Sequence, residues 1–366
     1  MQAGLEPAWK KCVMKVLGIE SSCDETAAAV VEDGTTLLSN VVASSIDLHV
    51  EFGGVVPEIA ARSHIESTTP VIKQALAQAK TSWDEIDAIA VTNGPGLGGS
   101  LLIGVLTART LAIAKNKPLF PVNHVQAHVL ANFLTKTSLP DYKLPAYAPK
   151  FPCLALIVSG GHTQLVLFND CFDYHVLGQT QDDAVGEAFD KVAKILGLEY
   201  PGGPSISRLA TRGDAGMFNF PKAKLGGKYD FSFSGLKTAV LRLAQKEIGQ
   251  SYDFPSHLIA DKLADQQKAD FAASFQRIAI ETLVDKLAQA YQEYKPASVV
   301  IAGGVAANQK LRQQVSKQGF SSVIITDPKL CTDNAAMISA SGFFAAEQGN
   351  IQADPYTLET NPSLAM

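Results

Sequence analysis

Short apolar runs of the β type alternate along this chain with longer segments of helical spacing. The first run, residues 15–20 (KVLGIE), ends in the polar turn Ser21-Ser22-Cys23-Asp24-Glu25. A second run, 26–32, stops at Asp33-Gly34, so the pair predicts a β-hairpin. Over 57–79, Ile59, Ile65, Val71, Ile72, Leu76 and Ala79 fall at helical intervals. A buried strand is predicted at 86–92, followed by the glycine loop Asn93-Gly94-Pro95-Gly96-Leu97-Gly98-Gly99-Ser100. A helix over 101–115, a strand over 119–122 and a helix over 124–134 complete this part.

Residues 135–150 carry three prolines and little periodicity, and read as a connection. The pattern then restarts. A strand at 153–159, the turn Gly160-Gly161-His162 and a strand at 163–168 repeat the opening hairpin. Helical spacing returns over 186–196 and 271–291. A strand at 298–302, the turn Gly303-Gly304 and a helix at 306–316 repeat the earlier strand, glycine loop and helix. Such a duplication predicts two related α/β lobes with a central cleft, the architecture of the actin-like ATPase fold. Glycine turns after strands would face that cleft. The expected organisation is an extension at 1–13, a first lobe at 14–134, the connection at 135–150, a second lobe at 151–346 and a polar tail at 347–366. The last helix is free to pack back on the first lobe. Both ends are expected to be mobile.

At 366 residues the chain has room for two domains, and with 46% hydrophobic and 18% charged residues it is globular. No apolar run reaches the ~20 residues of a membrane helix, since 101–114 is interrupted by Arg109. The net charge of −5 excludes nucleic-acid binding through bulk positive charge, but not through a local face. One segment, 208–242, holds seven basic residues against two acids, interleaved with Phe218, Phe220, Tyr229, Phe231 and Phe233. It reads either as an RNA-binding surface or as a solvated face over core aromatics. Five cysteines, at 12, 23, 153, 171 and 331, form no CxxC pair, which argues against a zinc ribbon or a disulfide framework and for a reducing, cytoplasmic setting.

His124 and His128 stand four apart on a predicted helix, so both rings can face one way, a spacing that suits a divalent transition metal or two ordinary packed histidines. The glutamate of an HExxH peptidase motif is missing: Val125 follows His124. A third ligand could come from Asp333, which otherwise reads as a helix cap, or from Asp24 or His162 in hairpin turns. The glycine loops at 94–100, 160–161, 202–203 and 303–304 could present backbone N–H groups to phosphate, though none is a P-loop. Asn308, just beyond the last, could bond a sugar or base.

These stretches together closely resemble the tRNA N6-adenosine threonylcarbamoyltransferase family, called TsaD in bacteria and formerly O-sialoglycoprotein endopeptidase. The matching segments are GIESSCDET (18–26), GGVVPE (53–58), GPGL (94–97), His124 with His128, VSGGHTQ (158–164), GEAFDK (186–191), YPGGP (200–204), FSFSGLK (231–237), AGGV (302–305) with Asn308, and CTDNA (331–335). They run in family order from 15 to about 345, and His162 marks the bacterial type. The departures, 1–13, 135–150 and the tail after 346, touch no motif. The resemblance implies transfer of threonylcarbamoyl from threonylcarbamoyl-AMP to N6 of the adenosine 3′ of the anticodon in tRNAs reading ANN codons, with release of AMP. It implies that His124, His128 and Asp333 hold one divalent metal, Fe2+ first and Zn2+ as the alternative. Ile157, Val158, Ser159, Gly160, Gly161, Asp190, Gly203 and Asn308 would hold the adenylate, and Asp24 would be the candidate catalytic residue near the carbamoyl end. Expected partners are tRNA, a TsaB-like paralogue and a TsaE-like ATPase, with no membrane. Two other classes remain open on the residues alone. A metal-dependent peptidase would share the histidine pair, and an actin-like kinase or chaperone would need no imidazoles.

Overall fold

The structure, a computed structural model, describes residues 13–349 and 352–366. The expected 1–13 extension lies, apart from Val13, outside the described residues. The chain divides into two compact units. One comprises the chain up to Ile46, Val56–Tyr147 and Asp333 onward; the other comprises Asp47–Val55 and Ala148–Thr332.

The first unit is built from β1 (Lys15–Glu20), β2 (Glu25–Glu32), β3 (Thr36–Ser44), α1 (Pro57–Gln78), β4 (Ala88–Gly94), α2 (Gly98–Lys115), β5 (Leu119–Asn123), α3 (His124–Leu130) and β6 (Lys136–Thr137). Its six-stranded sheet runs β5-β4-β1-β2-β3-β6. The predicted hairpin is present, with Lys15 opposite Glu32 and Glu20 opposite Ala27, and β1 then pairs parallel with β4. The near-continuous apolar runs of β1 and β4 follow from burial on both faces. The supposed connection contributes β6, which extends the edge at β3.

The second unit repeats this order. It contains β7 (Cys153–Val158), β8 (Thr163–Phe168), β9 (Tyr174–Gln179), α4 (Val185–Ile195), α5 (Gly202–Ala210), α6 (Ser234–Glu247), α7 (Asp265–Tyr294), β10 (Ser298–Ala302), α8 (Gln309–Ser316) and β11 (Val323–Ile324). The sheet order is β11-β10-β7-β8-β9, with β7–β8 and β8–β9 antiparallel and β7–β10 and β10–β11 parallel. This matches β5-β4-β1-β2-β3 strand for strand. Aromatic pairs anchor the core, with Phe218 stacked on Phe271 at 4.1 Å and Phe189 edge-on to Phe275 at 5.0 Å. The aromatics of the basic segment are therefore core: Phe218, Phe220, Tyr229, Phe231 and Phe233 are all buried. Of the two readings of this segment, its rings therefore fit that of a solvated face over core aromatics. Three of its lysines are also paired, Lys222 with Glu281 and Asp285, Lys228 with Glu293, and Lys237 with Asp183.

The last helix, α9 (Ala335–Gln348), belongs to the first unit, where its small residues lie directly on the sheet. A side chain at Gly18 would run into Ser339 and the Ala335 carbonyl. Of the described helices, α2 alone is long and apolar enough to cross a membrane by length and composition. Here it buries Leu101, Val105, Ala108 and Ala112, and packs on β4 and α1.

The expected mobility of the tail does not hold for 352–366. Ala353 N–H donates to the Leu119 carbonyl at 2.8 Å, and Arg109 donates to the carbonyls of Pro355 (2.7 Å), Tyr356 and Leu358. Leu358 packs against the first unit's core. Composition made this segment look like a free tail because its bonds are made by backbone N–H and carbonyl groups, which carry no sequence signal.

Candidate metal centre

Strand β5 delivers the chain into α3 at Asn123, whose Oδ1 accepts from Val125 N–H (2.9 Å) and Gln126 N–H (3.2 Å) and so caps the helix. His124 and His128 then share one helical face. Their rings meet edge to face, with centroids 4.8 Å apart. Asp333 arrives from the turn before α9. The cap of α9 is Asn334, whose Oδ1 accepts from Met337 N–H at 3.1 Å. Asp333 is thereby spared the capping role that its sequence context suggested.

The Asp333 Oδ1 lies 3.4 Å from Nε2 of both His124 and His128. That is the separation of two ligands bonded at ~2.1 Å to a common tetrahedral ion. All three candidate ligand atoms fall within 4.8 Å of one another. His128 is buried; its Nδ1 has no hydrogen-bond partner, and its Nε2 meets the Asp333 carboxylate at the long distance of 3.4 Å. A buried imidazole so weakly partnered is costly unless something else occupies its lone pair. His124 is oriented from behind: its Nδ1 is 3.1 Å from Glu20 Oε2 and 3.1 Å from Ser22 Oγ. A carboxylate on Nδ1 turns Nε2 toward the group, the arrangement that supports metal-ligating histidines. Two imidazoles and a carboxylate suit a first-row divalent ion.

Electrostatics agree. Burial alone would push His124 down, but Asp333 and Glu20 outweigh it and hold the ring well above its ordinary range. Burial would likewise raise Asp333, yet the two histidines hold it well below the usual carboxylate range. Burial pushes Glu25 up to about 9, with the Asp333 and Asp24 charges adding to it. The site thus concentrates negative charge around an imidazole pair.

Asp24 and His162, the other candidates for third ligand, stand outside this group. Asp24 is buried in the turn after β1, where its backbone carbonyl accepts from Ser45 N–H and Oγ–H. That turn is fastened by His64, whose Nδ1 meets Thr26 Oγ1 at 2.7 Å and whose Nε2 meets the Cys23 carbonyl at 3.0 Å. Sequence reasoning missed Glu20, Ser22 and His64. The only signal was a charged residue ending an apolar strand at Glu20.

The second unit gathers the remaining candidates on its turns. Ile157 and Val158 are buried in β7; Ser159, Gly160 and Gly161 form the turn to β8, closed by Ser159 N–H on the His162 carbonyl at 2.8 Å. Asp190 Oδ1 accepts from Gly202 N–H at 2.7 Å, beside Gly203. Asn308 caps α8 through Oδ1, and its Nδ2 donates to Ser207 Oγ and Gln276 Oε1, both at 2.9 Å. Its carboxamide is already engaged, and Ser207 Oγ passes the link on to the Gly203 carbonyl at 2.9 Å.

The family profile described as TsaD, tRNA N6-adenosine threonylcarbamoyltransferase, matches residues 36–340. The chain belongs to the TsaD family. A tRNA N6-adenosine threonylcarbamoyltransferase of Thermomicrobium roseum is 50% identical over 93% of this chain and 94% of its own length. One of Dehalococcoides mccartyi is 48% identical over 96% of this chain and 99% of its own. Among solved structures, full-length HypF in its phosphate- and nucleotide-bound form superposes with a TM-score of 0.55 at 12% identity, covering 92% of this chain and 46% of that one. That likeness shows the fold alone, the actin-like class that the repeated sheet order also describes. For a TsaD-family protein, the buried His-His-Asp group is consistent with a metal site.

Proposed function

We propose that this protein transfers threonylcarbamoyl from threonylcarbamoyl-adenylate to N6 of the adenosine 3′ of the anticodon, in tRNAs reading codons that begin with A. The anhydride C–O bond breaks and AMP leaves with the electron pair. The bond from N6 to the carbonyl carbon forms, and N6 gives up a proton. The observation that carries this reading is the buried His124–His128–Asp333 group, its candidate ligand atoms within 4.8 Å of one another, in a chain of this family. A divalent ion bound there, iron first and zinc as the alternative, supplies Lewis acidity to the acyl carbonyl.

The chain's own residues supply position. Glu20 and Ser22 fix the orientation of His124, and Asp333 offsets positive charge at the imidazoles. Asp24 is assigned to the carbamoyl end, within the turn that His64 fastens. The adenylate is assigned to 157–161, Asp190, Gly203 and Asn308. Gly160, Gly161 and Gly203 have open space where a side chain would stand, so a ligand can approach their backbone closely, although the Gly203 N–H is itself engaged with Asp190. Asn308 acts there through Ser207 on the Gly203 turn rather than as a free donor. AMP is a good leaving group, so the demand on the site is orientation and polarisation. An unpaired anticodon-loop base is accessible to such chemistry. A TsaB-like paralogue, a TsaE-like ATPase and a cytoplasmic setting complete the proposal.

The test is nucleoside analysis of tRNA incubated with this protein, threonine, bicarbonate, ATP, an adenylate-forming synthase and both partners. The expected product is threonylcarbamoyladenosine, absent with His124→Ala. No product under conditions where another family member makes it would sink the proposal.

A further inference from the structure

The glycine loop after β4 looks, by sequence, like a phosphate cradle, but the structure fills it with the chain's own C-terminus. Asn361 N–H donates to the Asn93 carbonyl at 2.6 Å, and Gly96 N–H donates to the Pro362 carbonyl at 3.2 Å. Gly94 has no room for a side chain, because the Asn361 carbonyl and Leu364 stand where its Cβ would be. A turn closed by Leu364 N–H on the Asn361 carbonyl (3.1 Å) then brings the Ala365 carbonyl to Asn123 Nδ2, which donates to it at 3.2 Å.

Asn123 is the residue immediately before His124. Its carboxamide is therefore used at both ends: Oδ1 caps the helix of the histidine pair, and Nδ2 holds the tail. A flipped amide would set its NH2 against two helix N–H donors, so the Ala365 carbonyl selects the capping orientation. Helix α3 has only seven residues, too few to be stable without tertiary support. We propose that the segment 361–365 is a positioning element of the metal centre, acting through Asn123 on the helix that carries His124 and His128. The inference rests on the metal reading above and extends it to a part of the chain outside every motif.

The test uses the full chain and three variants: deletion of 361–366, Asn123→Ser, and both together. The deletion keeps the anchors of Arg109 on 355–358. Serine keeps a capping oxygen and loses the donor to Ala365. Zn2+ and Fe2+ affinities are measured by chelator competition, and hydrogen exchange at the Val125 and Gln126 amides is followed in metal-free protein. Each single variant should weaken metal binding about tenfold, as loss of support behind a ligand does, and should speed that exchange. The double variant should be no worse than either single one, because both cut the same link. An affinity within about twofold of the parent in both single variants overturns the inference. So does a double loss that multiplies. Should the deletion fail to fold, Asn123→Ser alone decides by the same limits. His124→Ala separates the two readings. If it loses metal while the tail variants keep it, only the tail's role falls; if it binds metal like the parent, the metal reading falls and this inference with it.

Discussion

In the first unit the strand that opens the sheet ends in a buried carboxylate, Glu20; in the second the corresponding strand ends in Val158. In the first, the glycine loop after β4 is filled by the tail; in the second, the turn after β10 leaves Gly304 open. Only the neighbouring Gly303 there is confined, at φ +88°, against the Val158 carbonyl. One topology has thus been put to two uses. The first unit places titratable side chains together and seals its backbone. The second ends its strand in an apolar residue and leaves Gly160, Gly161 and Gly304 with nothing standing where a side chain would be. The difference teaches that a duplicated fold fixes where a site can be, while the residues at strand ends fix what chemistry it has.

The largest effect should come from emptying the charged side of the comparison. His128→Ala removes a buried ligand and should abolish metal retention. Transfer should fall on the order of 10²–10³-fold or more, if the ion supplies several kcal/mol to the transition state. Circular dichroism should be unchanged, since a core of this size does not depend on one ion. A metal-free His128→Ala protein with the parent's rate would break the comparison outright.

The strand ends come next. Glu20→Gln should weaken metal affinity about 10–100-fold by loosening His124. At the matching position in the other sheet, Val158→Ala should cost about 2 kcal/mol of stability, as buried truncations do, and leave metal content unchanged. Metal analysis and denaturant unfolding of the two variants check the pair. Equal metal loss in both would mean that the units are not divided in this way.

The glycine loops give a smaller contrast. Gly94→Ala must displace the tail and should destabilise by about 1–3 kcal/mol. Gly304→Ala meets nothing within 4 Å and should shift stability by no more than about 0.5 kcal/mol, while weakening an adenylate analogue. Thermal melts with and without the analogue read both.

Much of this was legible in the sequence. Both hairpins, the strand–glycine–helix repeats and the His124–His128 spacing are local patterns with periods of 2 and 3.6, and the structure contains them. The motif order carried the family. What could not be read depends on distant partners. Glu20 meets His124 across 104 positions and Arg109 meets Pro355 across 246, and neither pairing leaves a periodic trace. The strand β3 escaped because polar Ser39 and Asn40 interrupt its apolar run, and no period of 2 remains in TLLSNVVAS. The basic, aromatic segment left two readings open because composition does not say which way a ring points, and those rings face the core.

The smallest effect tests whether the second unit holds a charge for a ligand rather than for its own fold. Burial raises Asp190 above its ordinary range, and the Gly202 and Gly203 N–H groups only partly oppose this. A carboxylate raised on folding is stabilising while protonated, below its unfolded value of ~3.9. That benefit is lost as pH rises through the folded value, so at pH 7 the charged group is a cost to the fold. Asp190→Asn keeps an oxygen for the Gly202 N–H and removes that cost. It should therefore raise the melting temperature slightly at pH 7, with the gain vanishing near pH 3, where both forms are neutral. If Asp190 serves the adenylate, the same variant should bind an adenylate analogue more weakly although it is more stable. Melting curves at the two pH values, paired with analogue titration at pH 7, separate the cases. A variant less stable at pH 7 and unchanged in analogue binding would assign Asp190 to the fold. The exposed turns of the second unit would then hold their ligand by backbone alone.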